Sequence, residues 1–157
     1  VTVGEFHAGT ACNVIADTAS LAGTVRYFNP DLADFFHQRI EAIVAGVCAS
    51  HGATYKLDYI KFYPPVINDP KITDLVRSVA ADLVETPLGV VPECQTMGGE
   101  DMSFFLQKVP GCYFFLGSAN PDRSLAYPHH HPRFDFDETA LSTGVEMFVR
   151  CVEKFCN

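Results

Sequence analysis

The stretch SLAGTVRYF (20–28), followed directly by NPDLADFFHQRIEAIVAGVCASHG (29–52), decides the fold. Its first part alternates, with Leu21, Val25 and Tyr27 on one face and Ala22, Thr24, Arg26 and Phe28 on the other, which predicts a strand. Asn29-Pro30 then reads as a helix start, with Asn as cap and Pro at the first helical position. Leu32, Phe35, Phe36, Ile40, Ile43, Val44 and Val47 recur at helical spacing, and Gly52 supplies the stop. On the N-terminal side, Val1–Phe6 reads as a strand and His7–Asp17 as a loop of small residues. On the C-terminal side, Thr54–Tyr63 alternates Tyr55, Leu57 and Tyr59 against Lys56 and Asp58, a third predicted strand that Pro64-Pro65 ends. The order is β-β-α-β. One helix covers one sheet face, so this piece is expected to need a further helix or strand from elsewhere.

A different pattern begins near Asn68. Asp69-Pro70 predicts a helix start, with Ile72, Leu75, Val76, Val79 and Leu83 on one side. Pro87–Gln95 reads as a loop or short strand. Met97–Gly99 makes a glycine turn, and Glu100-Asp101 opens a short helix through Gln107. Cys112–Leu116 is almost wholly apolar, as strands buried on both faces of an α/β sheet are. Gly117–Pro132 is a polar loop, and Asp137 caps a last helix predicted to turn Leu141, Val145, Phe148, Val152 and Phe155 inward. The segment Tyr63–Pro70, with three prolines, is the candidate linker.

Composition bounds the function. The 157 residues carry a formal charge of −8, with 48% hydrophobic and 19% charged residues. That is enough apolar material for a core, and it excludes global disorder. The acidic balance excludes a phosphate-backbone binder, so no nucleic-acid partner is expected. No apolar run approaches the roughly 20 residues of a membrane span. The six cysteines form no CxxC pair and sit largely in apolar contexts. They read as reduced thiols in a cytoplasmic protein. The chain opens on Val1-Thr2-Val3 with no initiator Met, a start expected of a segment of something longer.

Three constellations could carry chemistry. In His129-His130-His131-Pro132, neutral imidazoles are common metal ligands, and the proline stiffens the loop presenting them. Taken alone, the run reads equally as a solvated loop. Gly98-Gly99-Glu100-Asp101 permits close backbone approach beside two acids, which suits a pocket turn, a carboxylate that orients a histidine ligand, or ordinary helix capping. Asn13 and Arg26 could bring an amide and a planar guanidinium to one carboxylate, or could be a structural Asn turn and a strand-face Arg. His7, His37 and His51 read as structural. There is no GxSxG elbow, P-loop or GxGxxG.

Gly9-Thr10-Ala11-Cys12-Asn13-Val14-Ile15-Ala16-Asp17 with Gly23-Thr24-Val25-Arg26 resembles the lid-domain signature of the metal-dependent amidohydrolases: aminoacylases, hippurate hydrolases and auxin-conjugate hydrolases. Met97-Gly98-Gly99-Glu100-Asp101-Met102-Ser103 resembles their glycine–acid turn. His130-His131-Pro132-Arg133-Phe134-Asp135-Phe136-Asp137-Glu138 resembles their C-terminal metal motif. Order and separation both fit, over essentially the whole chain. The family's usual proline after Asn-Val-Ile is Ala16 here. Its upstream His-x-Cys-Gly-His-Asp run and Glu-Glu pair are not in this sequence.

The resemblance implies a two-domain enzyme that hydrolyses the amide bond of N-acyl amino acids. The fold class expected is part of an α/β catalytic domain plus part of an α+β ferredoxin-like lid, with residues 1–67 as the second half of the lid and dimerisation domain and 68–157 as the C-terminal part of the metal-binding catalytic domain. His130 maps to the last metal ligand, Asn13 and Arg26 to groups that hold the substrate carboxylate, and Gly99 and Glu100 to a turn at the site edge. No catalytic residue maps to this chain, since the general-base glutamate lies upstream. Two divalent ions, zinc or manganese, are implied for the whole enzyme, together with a homodimer formed through the lid. The chain alone is expected to be inactive and without metal. The competing expectation is a non-catalytic dimerisation or assembly module.

Overall fold

A computed structural model describes residues 1–84, 89–91 and 93–157. The chain divides into two units, Val1–Pro65 with Thr96–Glu100, and Val66–Gln95 with Asp101–Asn157.

The first unit holds strands β1 (Thr2–Ala8) and β2 (Ala19–Thr24) and helix α1 (Leu32–Ser50). The strands pair antiparallel from Thr2 opposite Thr24 to Ala8 opposite Ala19, with a register shift between Val3 and Glu5. β2 ends four residues earlier than its alternation predicts, so Arg26 lies beyond the ladder. Asn29 and Pro30 do begin a turn. The Asn29 side chain accepts the Asp31 N–H at 2.9 Å, and main-chain bonds from Leu32 to Asn29 and from Ala33 to Pro30 close it. The helix proper starts only after that turn. At its other end Gly52, at φ +65°, donates to Ala49, and Ala53 donates to Cys48 at 2.9 Å. These paired bonds satisfy carbonyls that the helix end leaves open, and they need a residue in the left-handed region.

α1 has two apolar stripes. Phe36, Ile40, Val44 and Cys48 are half-buried, whereas Phe35, Ile43 and Val47 are at least 50% exposed. The packed side holds Tyr27 against Phe36, with ring centroids 6.1 Å apart, and Tyr59 stacked on His37 at 4.5 Å. An ion pair joins Lys61 to Asp34. Residues 54–63 therefore lie along α1, but they form no strand. A strand needs a neighbour for its N–H and C=O groups, and the one sheet among the described residues holds β1 and β2 alone.

The second unit holds α2 (Pro70–Leu83), α3 (Met102–Leu106), a single 3-10 turn over Pro121–Arg123, and α4 (Thr139–Cys156). α2 begins as its sequence predicts. The Asp69 carboxylate accepts the N–H groups of Lys71 and Ile72 at 2.9 and 3.0 Å, and Pro70 occupies the position where its missing donor costs nothing. α2 packs on α4. Val79 and Met147, one from each helix, are the buried apolar side chains among the described residues, each 3% exposed.

Two expectations fail in this unit. Cys112–Leu116 forms no strand among the described residues. A side chain replaces the missing neighbour: the Asn68 amide donates to the Tyr113 carbonyl and accepts its N–H, both at 2.8 Å. The α4 stripe Leu141, Val145, Phe148, Val152 and Phe155 is 55–69% exposed. The inward side is instead the row Ala140, Gly144, Met147 and Cys151. The helix is apolar on two sides, and α2 covers one of them. Of the predicted loop or strand at Pro87–Gln95, residues Pro87, Leu88 and Pro92 lie outside the described residues, and the remainder carries no strand. Among the described residues no helix is long and apolar enough to cross a membrane.

Candidate functional site

The histidine triplet sits on a loop built from two turns. Asn120 and Leu125 exchange main-chain bonds at 2.8 and 2.9 Å, closing a small turn. Further on, His131 donates to the Pro128 carbonyl at 3.1 Å, and Phe134 donates to the His131 carbonyl at 2.8 Å. The outer two imidazoles are engaged. His129 meets the Phe134 ring edge-on at 4.8 Å, and His131 stacks on Tyr127 at 4.5 Å. His131 Nδ1 also accepts the Arg133 N–H at 3.1 Å, and the Arg133 guanidinium lies over the Tyr127 ring at 4.4 Å. The middle one differs. His130 adopts φ +67° and is exposed. It has no side-chain partner among the described residues. A non-glycine residue in the left-handed region is uncommon and is held there by its surroundings.

Asp137 closes this loop. Its Oδ2 accepts from Asn120 at 2.6 Å. Its Oδ1 accepts from Arg123 at 3.1 Å, from the Thr139 N–H at 3.1 Å and from the Thr139 hydroxyl at 2.9 Å. Its main-chain N–H donates to Ser118 at 2.9 Å. The Asn120 bond, then the two Thr139 bonds, and then the Arg123 charge hold this carboxyl down from its ordinary 3.8 to about 2. Each of these contacts favours the ionised form. Sequence reading gives Asp137 as a helix cap and, by resemblance, as part of the C-terminal metal motif. The Thr139 bonds agree with the cap, whereas the bonds to Asn120 and Arg123 go beyond it.

In the first unit, the Arg26 guanidinium donates to the Met97 main-chain carbonyl. The glycine–acid turn thus groups with the strands and not with its neighbours in sequence. A Cβ placed on Gly99 would lie 3.1 Å from Cδ2 of Tyr63, so the absence of a side chain there lets the turn lie against that ring. Glu100 is half-buried at the end of the turn. Asn13 is exposed in the loop between β1 and β2. That loop edges a shallow hollow of about 260 Å³ lined by Thr10, Val14, Ile15 and Asp17. No hydrogen bond joins Asn13 to Arg26 among the described residues. The structure therefore brings Arg26 to the turn that carries Gly99 and Glu100, keeps Asn13 in the same unit and places His130 in the other one.

The histidine triplet offers a metal its imidazole nitrogens, of which His131 Nδ1 already accepts the Arg133 N–H. Imidazole suits zinc and manganese alike, and His130 is uncommitted. Among the described residues, however, no group of three or more His, Cys, Asp or Glu side chains could hold an ion. A catalytic ion takes about three protein ligands, so the described residues by themselves do not make up a catalytic metal site, although the His130 imidazole is of a type that serves in one.

The comparisons with known proteins give the class. The chain belongs to peptidase family M20/M25/M40, which matches residues 3–154. It is 40% identical over 147 residues to YhaA of Bacillus subtilis, which is named as an amidohydrolase, covering 94% of this chain and 37% of that protein. It is 39% identical over 148 residues to the N-acetyldiaminopimelate deacetylase of Enterococcus faecalis, covering 93% of this chain and 37% of that enzyme. Among solved structures, the Bacillus subtilis YXEP protein, described as a dinuclear metal binding peptidase, superposes with a TM-score of 0.80 at 29% identity. That match covers 96% of this chain and 40% of YXEP. The chain thus has the fold of part of such an enzyme and spans about two-fifths of the length of the relatives it matches.

Proposed function

We propose that this chain is part of a metal-dependent amidohydrolase that cleaves the amide bond of N-acyl amino acids, and that the chain alone is inactive. The state of His130 carries this reading: both neighbouring imidazoles are engaged with aromatic rings, while the middle one is uncommitted at a left-handed backbone position. The naming of a relative as an N-acetyldiaminopimelate deacetylase supports the substrate class.

In the whole enzyme His130 would hold one of two divalent ions, zinc or manganese. When bound, such ions polarise a carbonyl and acidify a water. Arg26 and Asn13 receive the free carboxylate of the amino-acid half. To do so the Arg26 fork exchanges a neutral carbonyl, that of Met97, for a charged acceptor that it binds more strongly. Fixing the carboxylate positions the scissile bond, which is worth much of the barrier when the geometry is right. Gly99 and Glu100 shape the edge of the pocket.

We propose further that the protein is a homodimer formed through the first unit, supported by the exposed α1 stripe of Phe35, Ile43 and Val47. Six unpaired cysteines support a cytoplasmic home. The test is hydrolysis of N-acetyl amino acids by the full-length protein loaded with zinc or manganese. His130→Ala should lose bound metal and turnover together. Unchanged metal content in that variant would remove His130 from the ligand set.

A further inference from the structure

We propose that Asp137 is a positioning residue for the metal site, fixing the loop that presents His130 before any ion arrives. The proposal rests on the reading of His130 as a ligand. A helix cap needs only the two Thr139 bonds. Asp137 makes two more, to Asn120 and Arg123, which lie 17 and 14 residues earlier, at the far end of the histidine loop. Its N–H adds a third tie, to Ser118. One carboxylate thereby joins the entry and the exit of the loop. It is buried, at 9% exposure, while His130 is exposed.

The physical consequence is preorganisation. A long loop with free ends loses much conformational freedom when one of its residues is immobilised. A loop pinned at both ends has lost that freedom already, so binding costs less. Inside the pinned span, Tyr127 takes the His131 ring and the Arg133 guanidinium, and Phe134 takes His129. His130 is left in the left-handed conformation. Groups that hydrogen-bond a metal ligand directly change affinity by about 10- to 100-fold when removed, and Asp137, which acts on His130 through the loop, is expected at the lower end of that range.

The test uses the full-length protein with Co(II) as the probe, its affinity read by chelator competition and its site by the visible spectrum. Asp137→Asn retains capping ability but turns one acceptor oxygen into a donor. It should weaken one of the two Co(II) ions by about 10-fold and alter the absorption band of that ion, with the other ion and the helix content unchanged. Asn120→Ala and Arg123→Ala should act on the same ion more weakly, and they decide the matter if Asp137→Asn does not fold. Retention of both ions at parental affinity would overturn the proposal. So would parallel weakening of both ions that tracks the melting temperature, which is the signature of a merely structural role. His130→Ala separates the two claims. If it leaves both ions bound, the ligand reading fails. If it loses one ion while the Asp137, Asn120 and Arg123 variants keep both, only the positioning role fails.

Discussion

Arg26 donates a hydrogen bond to the main-chain carbonyl of Met97, 71 residues further along the chain. That bond gives the glycine–acid turn a direct tie to the segment after β2, so the candidate carboxylate-binding group and the candidate pocket turn share one unit. In the full-length protein Arg26→Ala should raise KM about 10- to 100-fold for substrates with a free carboxylate, the range expected for a lost hydrogen bond to a charged group. It should change kcat much less. Steady-state kinetics on an N-acetyl amino acid and on its amide check this. Equal losses on both substrates would make Arg26 a structural tie to Met97 and nothing more.

Gly99→Ala should cost stability in a way that depends on Tyr63. The added Cβ would stand 3.1 Å from the ring, so either the ring or the turn must give. Overpacking of this kind costs about 1–3 kcal/mol. Denaturant unfolding of Gly99→Ala, Tyr63→Ala and the double variant forms a cycle. The double variant should lose less than the sum of the single ones, whereas simple additivity would place the strain elsewhere.

The Asp137 network should fail in acid. Its folded-state value of about 2 lies below the ordinary 3.8, so the unfolded chain takes up the proton first. The stability it contributes is complete above the unfolded value and is lost as pH falls from 3.8 toward about 2. An NMR titration of the Asp137 carboxyl carbon should show the depressed midpoint. Asn120→Ala should move that midpoint upward, because it removes the strongest of the contacts favouring ionisation. A midpoint that stays put would remove Asn120 from the network.

The cysteines should differ in reactivity. Burial pushes the Cys151 thiol up, with a further push from Cys112, while Cys12, Cys94 and Cys156 are exposed. Only the thiolate attacks an alkylating agent. Timed iodoacetamide labelling at pH 8, read by peptide mass spectrometry, should modify the exposed three well before Cys151. Early labelling of Cys151 would contradict its half-buried place on α4 beside Cys112.

Local chemistry was legible in the sequence, and long-range pairing was not. Asp69-Pro70 announced α2 because cap and proline act within one turn. Gly52 announced the end of α1 for the same reason. Thr54–Tyr63 and Cys112–Leu116 alternate or run apolar as strands do, but a strand is a relationship between segments. One of these lies on α1, and the other is held by the side chain of Asn68. On α4 the spacing of Leu141, Val145 and Phe148 predicts a stripe that exists but faces outward, because periodicity finds a face without naming its neighbour. The site divides in the same way. The resemblance to the metal-dependent amidohydrolases, and not the local pattern, is what points to His130 and Arg26 as candidates. The Arg26–Met97 contact, the Gly99–Tyr63 approach and the reach of Asp137 to Asn120 join residues far apart in sequence. The local pattern before Thr139 shows the cap, whereas the bonds from Asn120 and Arg123 to Asp137 come from 17 and 14 residues away.

The second greasy side of α4 has a practical result for anyone handling this polypeptide. Five large side chains along one helix, Leu141 through Phe155, stand in water, and water drives such surfaces together. Expressed without companion chain to cover them, the protein should self-associate, bind hydrophobic dyes and stay in solution only at low concentration or with mild detergent.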